Sequence, residues 1–172
     1  MSRILCVDDE DDVRNALKRR LEREGHEVHT ASGVKEGIEA IQNSSPSYDA
    51  VITDMSMEDG DSGIRMLKAA VGHDIFTEVI VLTAYGNVQN AVECMQMGAF
   101  DYVEKNLPGA DVFELLSIKL ERALAQRHAT VRTLNRLKKA AGSEKLLGVA
   151  GLRPRSPMLS ETLGGTRISN TR

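Results

Sequence analysis

The chain has 172 residues, is 41% hydrophobic but only 3% aromatic, and carries 22 Lys/Arg against 25 Asp/Glu for a net charge of −3. That size allows one well-buried domain of about 100–150 residues plus an appendage, built on an aliphatic core. No apolar run approaches the roughly 18 residues needed to span a bilayer, the N-terminus turns acidic too early for a signal peptide, and Cys6 and Cys94 are too few for a disulfide scaffold; the cytoplasm is the expected compartment.

Short β-rich runs alternate with helix-period segments along residues 3–103. Arg3–Val7 reads as a buried strand with a sharp acidic stop, D-D-E-D-D. Asp11–Glu24 follows as a helix, with Val13, Ala16, Leu17 and Leu21 on one stripe, and Gly25 stands where a terminating glycine is expected. Val28–Ala31 is a second strand, Val34–Asn43 a helix, Ala50–Thr53 a third strand and Asp61–Val71 a helix. Glu78–Leu82 is the most hydrophobic strand; Asn87–Met97 is a helix ending at Gly98, and Phe100–Val103 a fifth strand. Five strands alternating with helices predict an α/β fold, a parallel sheet covered on both faces. In such sheets ligands bind outside the carboxyl ends of the strands, where strand order reverses.

At that edge the first strand ends in Asp8-Asp9, the third in Asp54, the fourth in Thr83-Ala84, and the fifth leads to Lys105. Three carboxylates within a few ångströms stay ionised only if a cation joins them, and Mg²⁺ is the natural one. A carboxylate also attacks phosphorus, as in aspartyl-phosphate chemistry, with an ammonium and a hydroxyl stabilising the phosphoryl oxygens. Asp54 is the expected acceptor, with Asp8, Asp9 and the Ser56 backbone carbonyl as metal ligands. Glu10, Asp11 and Asp12 read as the acidic start of the first helix. His26, His29, His73 and His128 lack metal-ligand spacing and are expected at the surface.

The set Asp8-Asp9, Asp54, Thr83-Ala84 and Lys105 resembles the receiver domain of two-component response regulators over about residues 1–125. The resemblance implies a doubly wound, flavodoxin-like sheet of order 2-1-3-4-5. It implies that Asp54 takes a phosphoryl group from a sensor histidine kinase or phosphotransfer protein. Mg²⁺ (or Mn²⁺) would be held by Asp9, Asp54 and the Ser56 carbonyl, with Asp8 close by. Thr83, Ala84 and Lys105 would form the phosphoryl-binding and switch group, Tyr102 the switch aromatic, and Ser56 and Tyr85 would tune phosphate lifetime. Two departures stand out: Glu58 and Asn106 occupy positions where the family usually has proline, and M-E-D-G-D-S-G carries one extra residue before Gly63. A hydrolase of the haloacid-dehalogenase type needs a second Asp where this chain has Ser56. A phosphorylation-independent binding or dimerisation module is the remaining competitor.

Charge divides the chain. Residues 1–108 hold 10 Lys/Arg against 20 Asp/Glu, and residues 109–172 hold 12 against 5. From Val112 the helical pattern runs to about Gly142, with Leu116, Leu120, Leu124, Val131, Leu134 and Ala141 near one face and Arg127 and Lys138 interrupting it. Residues 126–141 therefore read as an extension of the last helix, a coiled-coil stalk joining two copies, ahead of a solvated single helix. Direct nucleic-acid binding is not expected. Residues 142–172 read as a flexible tail, in which R-S-P-M at 155–158 resembles the start of the ATPase domain in transcription activators of this family. On that reading the chain is a piece of a longer regulator.

Overall fold

A computed structural model of the chain describes residues 1–84 and 88–146. The strands are β1 (Arg3–Val7), β2 (Glu27–Ala31), β3 (Ala50–Asp54), β4 (Glu78–Thr83) and β5 (Asp101–Glu104). Between and after them come α1 (Asp11–Arg23), α2 (Val34–Gln42), α3 (Ser62–His73), α4 (Val88–Gln96) and α5 (Val112–Leu146). The sheet order is β2-β1-β3-β4-β5, and every pairing is parallel. This is the parallel α/β sheet that the alternating pattern predicts, in the doubly wound, flavodoxin-like order that the resemblance implies.

Parallel strands buried on both faces need side chains that are apolar in both directions, and β3, A-V-I-T-D, is buried at all five positions. Alternate residues serve two cores. Leu5, Val7, Val51, Val79 and Val81 pack with Val34, Ile41, Met66, Leu67 and Cys94 on the α2, α3 and α4 side. Ile4, Cys6, Ile52, Ile80 and Leu82 pack with Leu17, Leu21, Leu116 and Leu120 of α1 and α5 on the other. Two helices stop at glycines with positive φ, Gly25 at 94° and Gly98 at 103°. The His26 N–H reaches the Leu21 carbonyl and the Ala99 N–H that of Cys94, the 6→1 bond of a Schellman cap that a residue with a Cβ closes only under strain. His26 departs from its expected surface position: its side chain is only 9% exposed.

The chain divides into two units, Met1–Val131 and Arg132–Arg172, and α5 contributes to both. In the first unit Arg127 is buried, its Nε 2.8 Å from Asp49 Oδ1 and its Nη2 2.9 Å from Asp74 Oδ2. It interrupts an apolar stripe because two carboxylates await it there. In the second unit residues 132–142 are exposed apart from Leu134, which is partly buried. The helix runs through Gly142 to Leu146, beyond the expected end near 141, since one glycine costs about 1 kcal/mol in a helix interior and does not break it. The remainder of the expected tail, 147–172, lies outside the described residues. No helix among the described residues is long and apolar enough to cross a membrane.

Candidate functional site

The site forms where β1 and β3 lie side by side while their connections diverge to opposite ends of the sheet. Four strands deliver their C-terminal residues to this edge because parallel pairing gives them one direction and a common register: Val7 stands opposite Thr53, Asp54 opposite Leu82, and Thr83 opposite Glu104.

Asp8 follows β1 and is completely buried. Its Oδ1 accepts the Glu10 N–H at 2.9 Å, and its carbonyl accepts from Arg14 at 2.7 Å. Its Oδ2 lies 2.8 Å from Lys105 Nζ, yet off the hydrogen-bonding direction, so this buried oxygen accepts no hydrogen bond among the described residues. Asp54, 4% exposed, ends β3. Burial pushes its carboxyl up to about 6; Lys105 pulls it down, Asp8 raises it again, and the Ser56 backbone N–H donates to it. Lys105 Nζ is 3.1 Å from Glu10 Oε1 and 3.4 Å from Asp54 Oδ2. Burial works against its charge, but the Asp8 carboxylate beside it and the nearby Asp54 carboxylate hold its pKa above the ordinary lysine value. One ammonium thus sits among three carboxylates.

Oxygens of Asp8, Asp9, Glu10 and Asp54 all lie within 4.8 Å of one another. That donor set, with one buried oxygen lacking a hydrogen bond, fits a hard divalent cation such as Mg²⁺. A cleft of about 420 Å³ opens over Asp54, lined by Asp9, Glu10, Ser56, Thr83, Ala84 and Asn90 among others. The structure therefore brings Asp8, Asp9, Asp54, Ser56, Thr83, Ala84 and Lys105 to one edge. Tyr102 is elsewhere: 39% exposed, it lines a groove with Ala91, Val92 and Met95 of α4. Tyr85 lies outside the described residues.

Glu10 is the main correction. It occupies the α1 N-cap position but makes no side-chain cap; its carboxylate reaches Lys105 instead. Glutamate is not among the preferred N-cap residues, and that mismatch was the available signal. Asp11 and Asp12 do form the acidic first turn. Lys105–Asn106 is trans, since Ser45–Pro46 is the sole cis bond among the described residues.

The loop after Asp54 is held by polar contacts. The buried Ser62 hydroxyl lies 3.3 Å from the Met57 nitrogen, whose N–H it accepts, and 3.0 Å from Asp59 Oδ1. Glu58 Oε1 accepts the Val34 N–H at 3.0 Å, capping α2 from a distant loop where the N-cap Gly33 has no side chain to offer. The extra residue before Gly63 is taken up ahead of α3, and Gly63 presses on the strand end. A Cβ there would lie 2.9 Å from the Met55 Cα, which only glycine avoids.

The family described as "Response regulator receiver domain" matches residues 4–117. Regulatory protein AtoC of Escherichia coli (strain K12) is 40% identical over 124 residues, 72% of this chain and 25% of AtoC. Acid tolerance regulatory protein ActR of Rhizobium meliloti (strain 1021) is 34% identical over 119 residues, 69% of this chain and 58% of ActR. The chain thus spans less than two thirds of these relatives' length. A crystal structure of a response regulator receiver domain protein from Clostridium thermocellum superposes with a TM-score of 0.68 at 34% identity, covering 76% of this chain and 99% of that one. A match over that span, carried on a sheet of the same kind, makes this chain a member of the response regulator receiver domain family of two-component systems.

Proposed function

We propose that the chain is a phosphoacceptor switch in which Asp54 receives a phosphoryl group from a phosphohistidine of a sensor kinase or phosphotransfer protein. The observation that carries this reading is the environment of Asp54, a buried carboxylate at the floor of an open cleft with Lys105 Nζ at 3.4 Å. In the transfer an Asp54 oxygen bonds phosphorus as the P–N bond breaks, and the departing imidazole nitrogen keeps the electron pair. Asp54 must be ionised to attack, which its value of about 6 allows at neutral pH. Lys105 and the Thr83 hydroxyl are suited to meet the phosphoryl oxygens. Lys105 would exchange part of its carboxylate contacts for them.

Asp9, Asp54 and the Ser56 carbonyl, with Asp8 behind them, are the groups that would hold Mg²⁺ or Mn²⁺. The cation's contribution is to neutralise the carboxylates and the charge spread over the transferring group. The domain directs and reverses its own phosphorylation but does not turn over a substrate as an enzyme does. Its output is a protein contact, with the α4–β5 groove bearing Tyr102 as the responsive surface and the exposed part of α5 as the candidate contact between two copies.

The test is to incubate the protein with Mg²⁺ and a small acyl phosphate and weigh it intact. Gain of one phosphoryl group, absent in Asp54→Asn, is the expected result. No gain in the wild type at any Mg²⁺ concentration refutes the reading in favour of a phosphorylation-independent module.

A further inference from the structure

Two successive carbonyls at the end of β4 are held by two successive residues after β5. The Lys105 N–H donates to the Thr83 carbonyl at 2.7 Å, a backbone rung. The Asn106 side chain then donates from Nδ2 to the Ala84 carbonyl at 2.9 Å, adding a rung past the point where the strands part. The distance is that of an ordinary N–H···O bond. Its location gives it consequence. Thr83 and Ala84 line the cleft above Asp54, while Ala84, Lys105 and Asn106 share the adjoining pocket of about 430 Å³. The side-chain bond therefore reinforces the backbone rung between the strand end that bears the hydroxyl and the arm that bears the ammonium.

We propose that Asn106 is a positioning residue: its amide clamps the Ala84 carbonyl and so keeps the Thr83–Ala84 edge of the cleft in register with Lys105 Nζ during phosphoryl transfer. The proposal rests on the reading of Asp54 as a phosphoryl acceptor. In transfer from an acyl phosphate, an Asp54 oxygen bonds phosphorus as the donor's P–O bond breaks, and the departing carboxylate keeps the electron pair. Negative charge then spreads over three equatorial oxygens, which must meet Thr83 on one side and Lys105 on the other together. Rates fall steeply when such groups are misplaced by even about 1 Å. The carboxylates grouped around Asp54 are those of Asp8, Asp9 and Glu10, while the Asn106 amide is engaged with the Ala84 carbonyl. Transfer rate and metal affinity should therefore separate when its donor is removed. The side chain is exposed, so substitution there spares the core.

The experiment uses the full chain as wild type, Asn106→Leu (similar size, no donor) and Asn106→Gln (donor retained on a longer arm). Acetyl phosphate with Mg²⁺ gives the phosphorylation rate by intact mass, and calorimetric titration without donor gives the Mg²⁺ dissociation constant. Asn106→Leu should slow phosphorylation about tenfold, the rate equivalent of one hydrogen bond, with Mg²⁺ affinity unchanged. Asn106→Gln should recover most of the rate. A wild-type rate in Asn106→Leu overturns the proposal. So does a Mg²⁺ affinity that weakens in step with the rate, or a Gln variant no faster than Leu. A wild type that gains no phosphoryl group overturns the acceptor reading itself, and is read without any variant.

Discussion

Asp54→Asn should stabilise the protein, and by more at neutral than at acid pH. Burial raises the Asp54 carboxyl from an ordinary 3.8 to about 6, so the folded protein binds its proton more tightly than the unfolded chain does. Below 3.8 the group is protonated in both states and costs nothing. As pH rises from there to about 6 the unfolded chain ionises first, stability falls, and above that window the loss is constant. The span from 3.8 to about 6 is worth about 3 kcal/mol. The cleft over Asp54 is open to water, and screening reduces this to about 1–2 kcal/mol. Asparagine keeps the shape and has no charge to desolvate. Urea unfolding of both proteins without divalent cations, at pH 4.5 and 7.5, reads the effect of this carboxylate and its coupling to Lys105 and Asp8, because groups that do not face Asp54 cancel in the difference. The gain from Asp54→Asn should be at least about 1 kcal/mol larger at pH 7.5, equivalent to about 2–4 °C in Tm. Equal gains at the two pH values, or a loss at pH 7.5, would refute the account of Asp54 as a buried, charge-penalised carboxylate.

Glu58→Ala removes the acceptor for the Val34 N–H and should cost about 1 kcal/mol, the usual worth of a helix N-cap, while Glu58→Gln keeps an acceptor and costs less; urea denaturation compares them. Arg127→Met leaves Asp49 and Asp74 without their cation. Both retain a backbone partner, Arg3 N–H for Asp49 and Phe76 N–H for Asp74, so the loss should be about 2 kcal/mol rather than the 3–5 of a fully orphaned buried pair. Burial alone would raise the Asp74 carboxyl, but the Phe76 N–H and Arg127 together hold it below the usual range. That stabilisation is present at neutral pH and lost as pH falls through the lowered value, so the wild type and Arg127→Met should converge in acid.

Much of this protein is written locally. Apolar runs bounded by acids and glycines fix five strands, and 3.6-residue stripes fix the helices between them. Parallel strands sharing one direction then bring Asp8, Asp9, Asp54, Thr83 and Lys105 to a single edge, because each ends its strand or follows it within two residues. The donor set is therefore legible from types and spacing. Side-chain partners between distant segments are not, since nothing nearby in the chain announces them. Glu10 looks like a helix start until the fold places Lys105 beside it. Arg127 looks like a flaw in an apolar stripe until Asp49 and Asp74 come to meet it. Glu58 and Asn106 look like missing prolines until one caps α2 and the other holds the Ala84 carbonyl. The sequence by itself determined the elements, their order in the chain and the chemistry delivered to the sheet edge, because these follow from periodicity and covalent adjacency. Only the tertiary structure decided which charges neutralise one another and which side chains tie the loops of the site together, because those contacts form between residues that meet only when the sheet assembles.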